Sequence, residues 1–358
     1  MIRVSAMTAI VQREKGTGGF LNRWPAWIGS AAIIWSLIYG GLQLYWLLGG
    51  EGYPYKQGNM GIFSALVTYI PQQTASLISM MICFVSILVG IAMHNVRIGI
   101  LPRWLIQSYA WGFAIALILF IPDISLIMSM AYAFLFKFTF TGQMFYQLVC
   151  ILGACLWAFA GLGYRRKSLH ACMHCGRKES GNHRLLNRVG RITAVIAAVA
   201  PVPYAISRFA WALHIPMGVD PSFVRDFPRM NPMAYVTEWV FGSLCIGGGL
   251  LTLGLIQKWG EVFPRWFPFV GGKRVPISLA VIPALFVAVP VTAAGVVFSF
   301  AYLGIRFNFI PLDGFPLNAV QGGIGPMISW VPWGVALAIA AVTYYYRRRG
   351  GCGFCNRA

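Results

Sequence analysis

The sequence predicts an all-α integral membrane protein with about eight transmembrane helices, arranged as two parallel four-helix repeats. Three observations carry this prediction. The chain is 58% hydrophobic and only 10% charged, apolar runs long enough to cross a bilayer recur along all of it, and motifs in the second half echo those of the first in the same order. The runs are helical because backbone polar groups in lipid must be satisfied within their own segment, and no period-two alternation suggests a barrel.

The spans fall at about 27 to 49, 72 to 94, 105 to 136, 144 to 164, 191 to 214, 233 to 257, 276 to 304 and 326 to 346. The third contains Pro122 and reads either as one long helix broken there or as a span followed by a re-entrant piece. The segment from Met1 to Trp24 is polar and basic, and the apolar run from Trp27 has no cleavage-like exit, so that run is expected to remain as the first transmembrane helix.

Lysines and arginines collect on one side. With the N-terminus inside, the inner segments hold Arg3, Arg13, Lys15, Arg23, Arg97, Arg103, the block from Arg165 to Arg191, Lys258, Arg265, Lys273, Arg274 and the C-terminal arginines; Lys56, Lys137, Arg208, Arg225, Arg229 and Arg306 fall elsewhere, and Glu51, Asp123, Asp220, Asp226 and Asp313 fall outside. This bias places both termini in the cytoplasm. The net charge of +19 is then mostly a set of juxtamembrane anchors facing anionic headgroups, and no nucleic-acid partner is needed to explain it.

Cys172-Met-His-Cys175 and Cys352-Gly-Phe-Cys355 each follow a basic stop at the end of an apolar span. On the reducing side of the membrane, two C-x-x-C pairs argue for metal or thiol chemistry rather than a structural disulfide, and together they supply the four thiolates of one tetrahedral zinc. A thioredoxin-type redox pair is the rival reading, but neither pair sits in a βαβ context. His170, His174 and His183 are spare ligands. Cys83, Cys150, Cys155 and Cys245 lie inside spans and read as small packing residues.

The internal echo brings these pairs together. Tyr39-x3-Gln43-x2-Trp46 recurs as Tyr204-x3-Arg208-x2-Trp211, 165 positions on. Cys83 with Pro102-Arg103-Trp104 recurs as Cys245 with Pro264-Arg265-Trp266, 162 positions on. Ala131-Tyr132 with Lys137-Phe-Thr-Phe140 resembles Ala301-Tyr302 with Arg306-Phe-Asn-Phe309, and the C-x-x-C pairs come last, 180 positions apart. Four helices per unit is an even number, so residues 1–190 and 191–358 are expected to enter the membrane from the same side, related by an axis along its normal. Such an axis would bring both cysteine pairs to one place on the inner face and clip the C-terminal tail to the central loop.

Charges within the spans are the other chemical signal. Arg208 and Glu238 have matching depths near the outer ends of spans five and six. Their first-half counterparts are Gln43 and Ser76, so these four residues form a candidate intramembrane polar site, functional or merely structural. Lys137 and Arg306 sit in aromatic clusters and are expected to reach outer headgroups, with a lipid phosphate as a possible ligand. No Gly-x4-Gly-Lys-Ser/Thr loop, H-E-x-x-H or Gly-x-Ser-x-Gly elbow is present, so ATP hydrolysis, zincin proteolysis and serine hydrolase action have no motif.

The Tyr-x3-Arg-x2-Trp-x-Leu element, the repeated Pro-Arg-Trp and the acidic outer loops resemble those of uncharacterised polytopic membrane proteins of Gram-positive bacteria. The resemblance implies a bacterial plasma membrane and no particular activity. The residues favour a transporter or lipid-handling protein with a zinc-bearing cytoplasmic cap and membrane lipids as partners; a scaffold or sensor whose cap docks a cytoplasmic protein comes next, and a membrane-embedded enzyme last. Reporter fusions after residues 55, 180, 222 and 356 are expected to place 55 and 222 outside and 180 and 356 inside; an external residue 356 would overturn the orientation.

Overall fold

In a computed structural model of the protein, the residues described are 24–55, 70–94, 102–123, 140–169, 183–230, 233–307 and 322–350, with shorter pieces that include the four cysteines of both C-x-x-C pairs. The helices are α1 (Trp24–Leu47), α2 (Gln72–His94), α3 (Arg103–Phe120), α4 (Gly142–Ser168), α5 (His183–Val199), α6 (Val202–Ala212), α7 (Pro221–Met230), α8 (Ala234–Leu253), α9 (Ile277–Arg306) and α10 (Trp330–Arg348). Eight spans are long and apolar enough to cross a membrane.

Local chemistry sets the ends of these spans. Pro102, in an extended conformation, precedes α3, and Thr141 caps α4 by accepting from the Met144 amide at 3.4 Å. The helix of the third span ends at Phe120, at the break expected near Pro122, because Pro122 has no amide to extend the ladder and its ring clashes with the preceding turn. The fifth span, Arg184–Ala212, is made of α5 and α6 interrupted at Pro201. Bonds from the Ala200 amide to Ile196 (2.9 Å) and from the Ala205 amide to Pro201 (3.0 Å) carry the chain across that interruption. In the connection that follows, Asp220 accepts from the hydroxyl and the amide of Ser222 (2.6 and 2.8 Å), which starts α7 and holds the carboxyl below its ordinary range.

The helices pack in two groups with the same internal pattern. In the first, α1 packs against α2 and α4, and α3 against α4; in the second, the α5–α6 span packs against α8 and α10, and α9 against α10. The groups touch where α3 meets α9. Each has its own core, built around Trp35, Tyr39, Trp46 and Trp157 in one and Tyr204, Trp333, Leu337 and Tyr344 in the other. Outward faces stay apolar and exposed, with Ile38, Phe84, Ile115, Leu152 and Ile282 among them, as surface that lipid covers would be.

Close helix approach depends on small residues. The ring of Trp35 lies over Gly153, leaving no space for a Cβ there, and the Trp35 indole donates to the Val149 carbonyl at 2.9 Å. A Cβ on Gly334 would lie 2.6 Å from the Ala288 carbonyl oxygen, so α9 and α10 meet backbone to backbone.

Candidate functional site

Both cysteine pairs sit just past the C-terminal ends of helices, Cys172 and Cys175 after α4 and Cys352 and Cys355 after α10. The four sulfurs lie within 4.8 Å of one another, with Cys175 Sγ and Cys355 Sγ 3.6 Å apart. Thiolates around one tetrahedral ion, at metal–sulfur distances of about 2.3 Å, are separated by about 3.8 Å. The group therefore has the size and donor set of a four-cysteine metal site, and none of the four cysteines is in a disulfide. The first knuckle turns on Gly176, whose amide donates to the Cys172 carbonyl at 2.7 Å and whose φ of 69° favours glycine. Arg349 holds the two pairs in register by donating from Nη1 to the Cys175 carbonyl at 2.5 Å while stacking on Tyr346 at 4.3 Å.

The arginines just before the tail cysteines bind the connection between α8 and α9. Tyr344 Oη donates to the Gly260 carbonyl at 2.6 Å, and Arg347 Nη2 donates to the Leu255 carbonyl at 2.8 Å and to Glu261 Oε1 at 2.9 Å. Arg348 Nη1 reaches the Val275 carbonyl at 3.1 Å. A latch thus runs without a gap from the sulfur cluster through Arg349 and Arg348 to the 254–276 connection.

That connection floors a cavity of about 740 Å³. Its walls are α8 (Gly248, Leu251, Thr252), α9 (Leu279, Ala284, Val287) and α10 (Trp333, Leu337), and Leu255, Trp259, Phe263, Pro264, Trp266 and Phe267 of the connection close it from below. The lining is apolar apart from Thr252, whose hydroxyl donates to the Gly248 carbonyl of its own helix at 2.8 Å. Leu251 on α8 and Leu279 on α9 are exposed at its rim, so the cavity opens sideways between those helices. Its volume lies within the range of small-molecule and cofactor sites, roughly 300–1,000 Å³.

Arg208 and Glu238 meet at the opposite end of the second group. Arg208 Nη1 lies 3.3 Å from Glu238 Oε2, with the two side chains 7% and 5% exposed. The guanidinium stacks on Trp211 at 3.8 Å and on Tyr204 at 4.8 Å. An arginine cannot shed its proton, so a carboxylate and two aromatic faces are what make its burial tolerable. Gln43 and Ser76 are buried on α1 and α2 in the other group and do not join this pair. Arg306 is exposed at the end of α9, while Lys137 lies outside the described residues. So do His170, His174 and the side chain of His183, the spare metal ligands. Cys83, Cys150 and Cys245 are buried, but Cys155 is exposed on α4 rather than packed inside.

No known family, curated protein or solved structure matches this chain. Its chemistry has to be read from its own residues.

Two features were not legible in advance. Asp123 is buried and accepts from Ser125 Oγ (2.6 Å), the Leu126 amide (3.2 Å) and Gln143 Nε2 (2.5 Å), a polar knot that closes the first group. The 254–276 floor and its latch were also missed, because Arg347 and Arg348 read as an ordinary stop signal. The one available signal was Glu261, a single acid among Lys258, Arg265, Lys273 and Arg274.

Elemental analysis of purified protein is expected to give about one zinc per chain, lost when either pair is changed to serine; full metal content in Cys352→Ser/Cys355→Ser would show that the pairs do not share an ion. Glu238→Gln strands the arginine and should cost about 3–5 kcal/mol, read as a lower melting temperature in detergent. Arg208→Met/Glu238→Leu should recover most of that loss, whereas a wild-type melt for Glu238→Gln would show that the pair carries no structural weight.

Proposed function

We propose that this chain is a lipid-handling protein of a bacterial plasma membrane, with both termini cytoplasmic and a structural zinc that clips its tail to its central loop. The observation that carries the lipid reading is the cavity of about 740 Å³, which is predominantly apolar and opens sideways between two membrane-crossing helices. A pathway for a polar solute would need polar groups lining an aqueous route. The buried charges are instead packed into an aromatic box away from the cavity. A hydrocarbon chain suits the cavity because each buried methylene contributes about 0.8 kcal/mol.

The two packing groups are read as parallel repeats, 1–190 and 191–358. Support comes from equivalent positions making equivalent contacts. Tyr39 hydrogen-bonds Cys150 across α1 and α4, and the corresponding Tyr204 packs on Trp330, 5.0 Å between ring centroids, across α6 and the start of α10. The zinc site lies where such an axis would bring both inner-face tails.

The scaffold or sensor reading keeps the same metal cap but assigns the bundle no ligand, and lipid retention decides between the two. Lipid extracted from purified protein and quantified by mass spectrometry is expected to show about one tightly held acyl lipid per chain. Ala284→Trp, which fills the cavity, should lower that retention at least several-fold. Equal retention by Ala284→Trp and wild type would leave the scaffold reading.

A further inference from the structure

The cavity is apolar, yet the connection that floors it carries four exposed cations. Lys258 adjoins the lining residue Trp259, Arg265 lies between the lining residues Pro264 and Trp266, and Arg274 adjoins Val275. Lys273 is tied to the same connection by the bond from the Phe263 amide to its carbonyl at 3.0 Å. The side chains of all four are exposed. The connection's one acid, Glu261, is held by Arg347 at 2.9 Å, so it does not offset them.

The same connection presents Trp266 (78% exposed) and Phe269 (96% exposed), rings that a water-facing loop would not leave bare. Phe269 is held outward at a φ of 65°, a left-handed conformation rare for a bulky residue. Aromatic rings beside cations at the ends of spans mark the level of the lipid headgroups. The connection therefore lies in the interface, with its charges where phosphates sit and its cavity where acyl chains begin.

We propose that this site binds an anionic phospholipid of the leaflet at the cysteine end, with one acyl chain in the cavity and the phosphate among Arg265, Lys273, Arg274 and Lys258. The inference rests on the lipid-handling reading and adds the headgroup class. A neutral hydrocarbon would satisfy the cavity alone and leave the four cations as general juxtamembrane anchors. A free phosphate would satisfy the cations alone and leave the cavity empty. One molecule with both parts matches both features, and Leu251 and Leu279 at the lateral opening give it a route from the bilayer.

The test uses full-length protein in nanodiscs containing equal phosphatidylglycerol and phosphatidylcholine, followed by detergent extraction and native mass spectrometry of the lipid that stays bound. Wild type should retain phosphatidylglycerol over phosphatidylcholine by at least tenfold. Arg265→Gln/Lys273→Gln/Arg274→Gln should still retain lipid but lose that preference, at roughly fivefold per cation removed. Ala284→Trp and, independently, Leu251→Trp should release both lipids; unchanged zinc content identifies variants that are folded. Equal retention of the two lipids by wild type, with both tryptophan variants releasing them, would overturn the headgroup assignment and leave the lipid reading intact. Retention indifferent to both tryptophan variants would overturn both, since the bound lipid would then be annular.

Discussion

Everything at the cysteine end of this molecule depends on the meeting of four thiols from two distant stretches of chain. Sulfurs within 4.8 Å of one another require the ends of α4 and α10 to lie on the same side of the bundle and point the same way. That condition fixes the path of the tail, and the tail fixes the connection between α8 and α9. Arg347, Arg348 and Tyr344 bind carbonyls of Leu255, Val275 and Gly260, all three of which line the cavity. The thiol cluster and the cavity are therefore parts of one mechanical unit, joined through backbone carbonyls that would otherwise need partners from water or headgroups.

The two halves spend similar material differently. In the first, Trp35 closes onto Gly153, Trp157 is fully buried with its indole donating to Ser36 Oγ at 3.1 Å, and Asp123 is tied down by three donors. In the second, α8 and α9 stand apart and the space between them is floored rather than filled. Arg208 and Glu238 are buried as an ion pair in this group, whereas Gln43 and Ser76 are buried without charge in the first.

Individual elements show how far pattern reading reached. The starts of α2 and α3 lie within about two residues of where hydrophobicity places them, since the end of an apolar run is a local property. The third span breaks where Pro122 places it, with the helix ending at Phe120, because a proline's effect on the ladder is also local. The Arg208 and Glu238 pairing was legible from matched depth, because few charges lie in the spans. The aromatic box around Arg208 was not, since Trp211 and Tyr204 could equally have faced lipid.

By itself, the sequence determined that this is a membrane bundle of eight spans, that two thiol pairs end two of those spans on the same side, and that one buried arginine needs one buried acid. Each of these follows from composition, spacing or charge, which act locally along the chain. Only the tertiary structure decided that the four sulfurs converge, that the arginines after Tyr344 are latches rather than anchors, and that the second half encloses 740 Å³ of apolar space. Cavities and latches are differences between surfaces of helices far apart in sequence. An apolar residue that lines a void, such as Ala284, has the same hydropathy as one that fills a core, so no pattern along the chain distinguishes them.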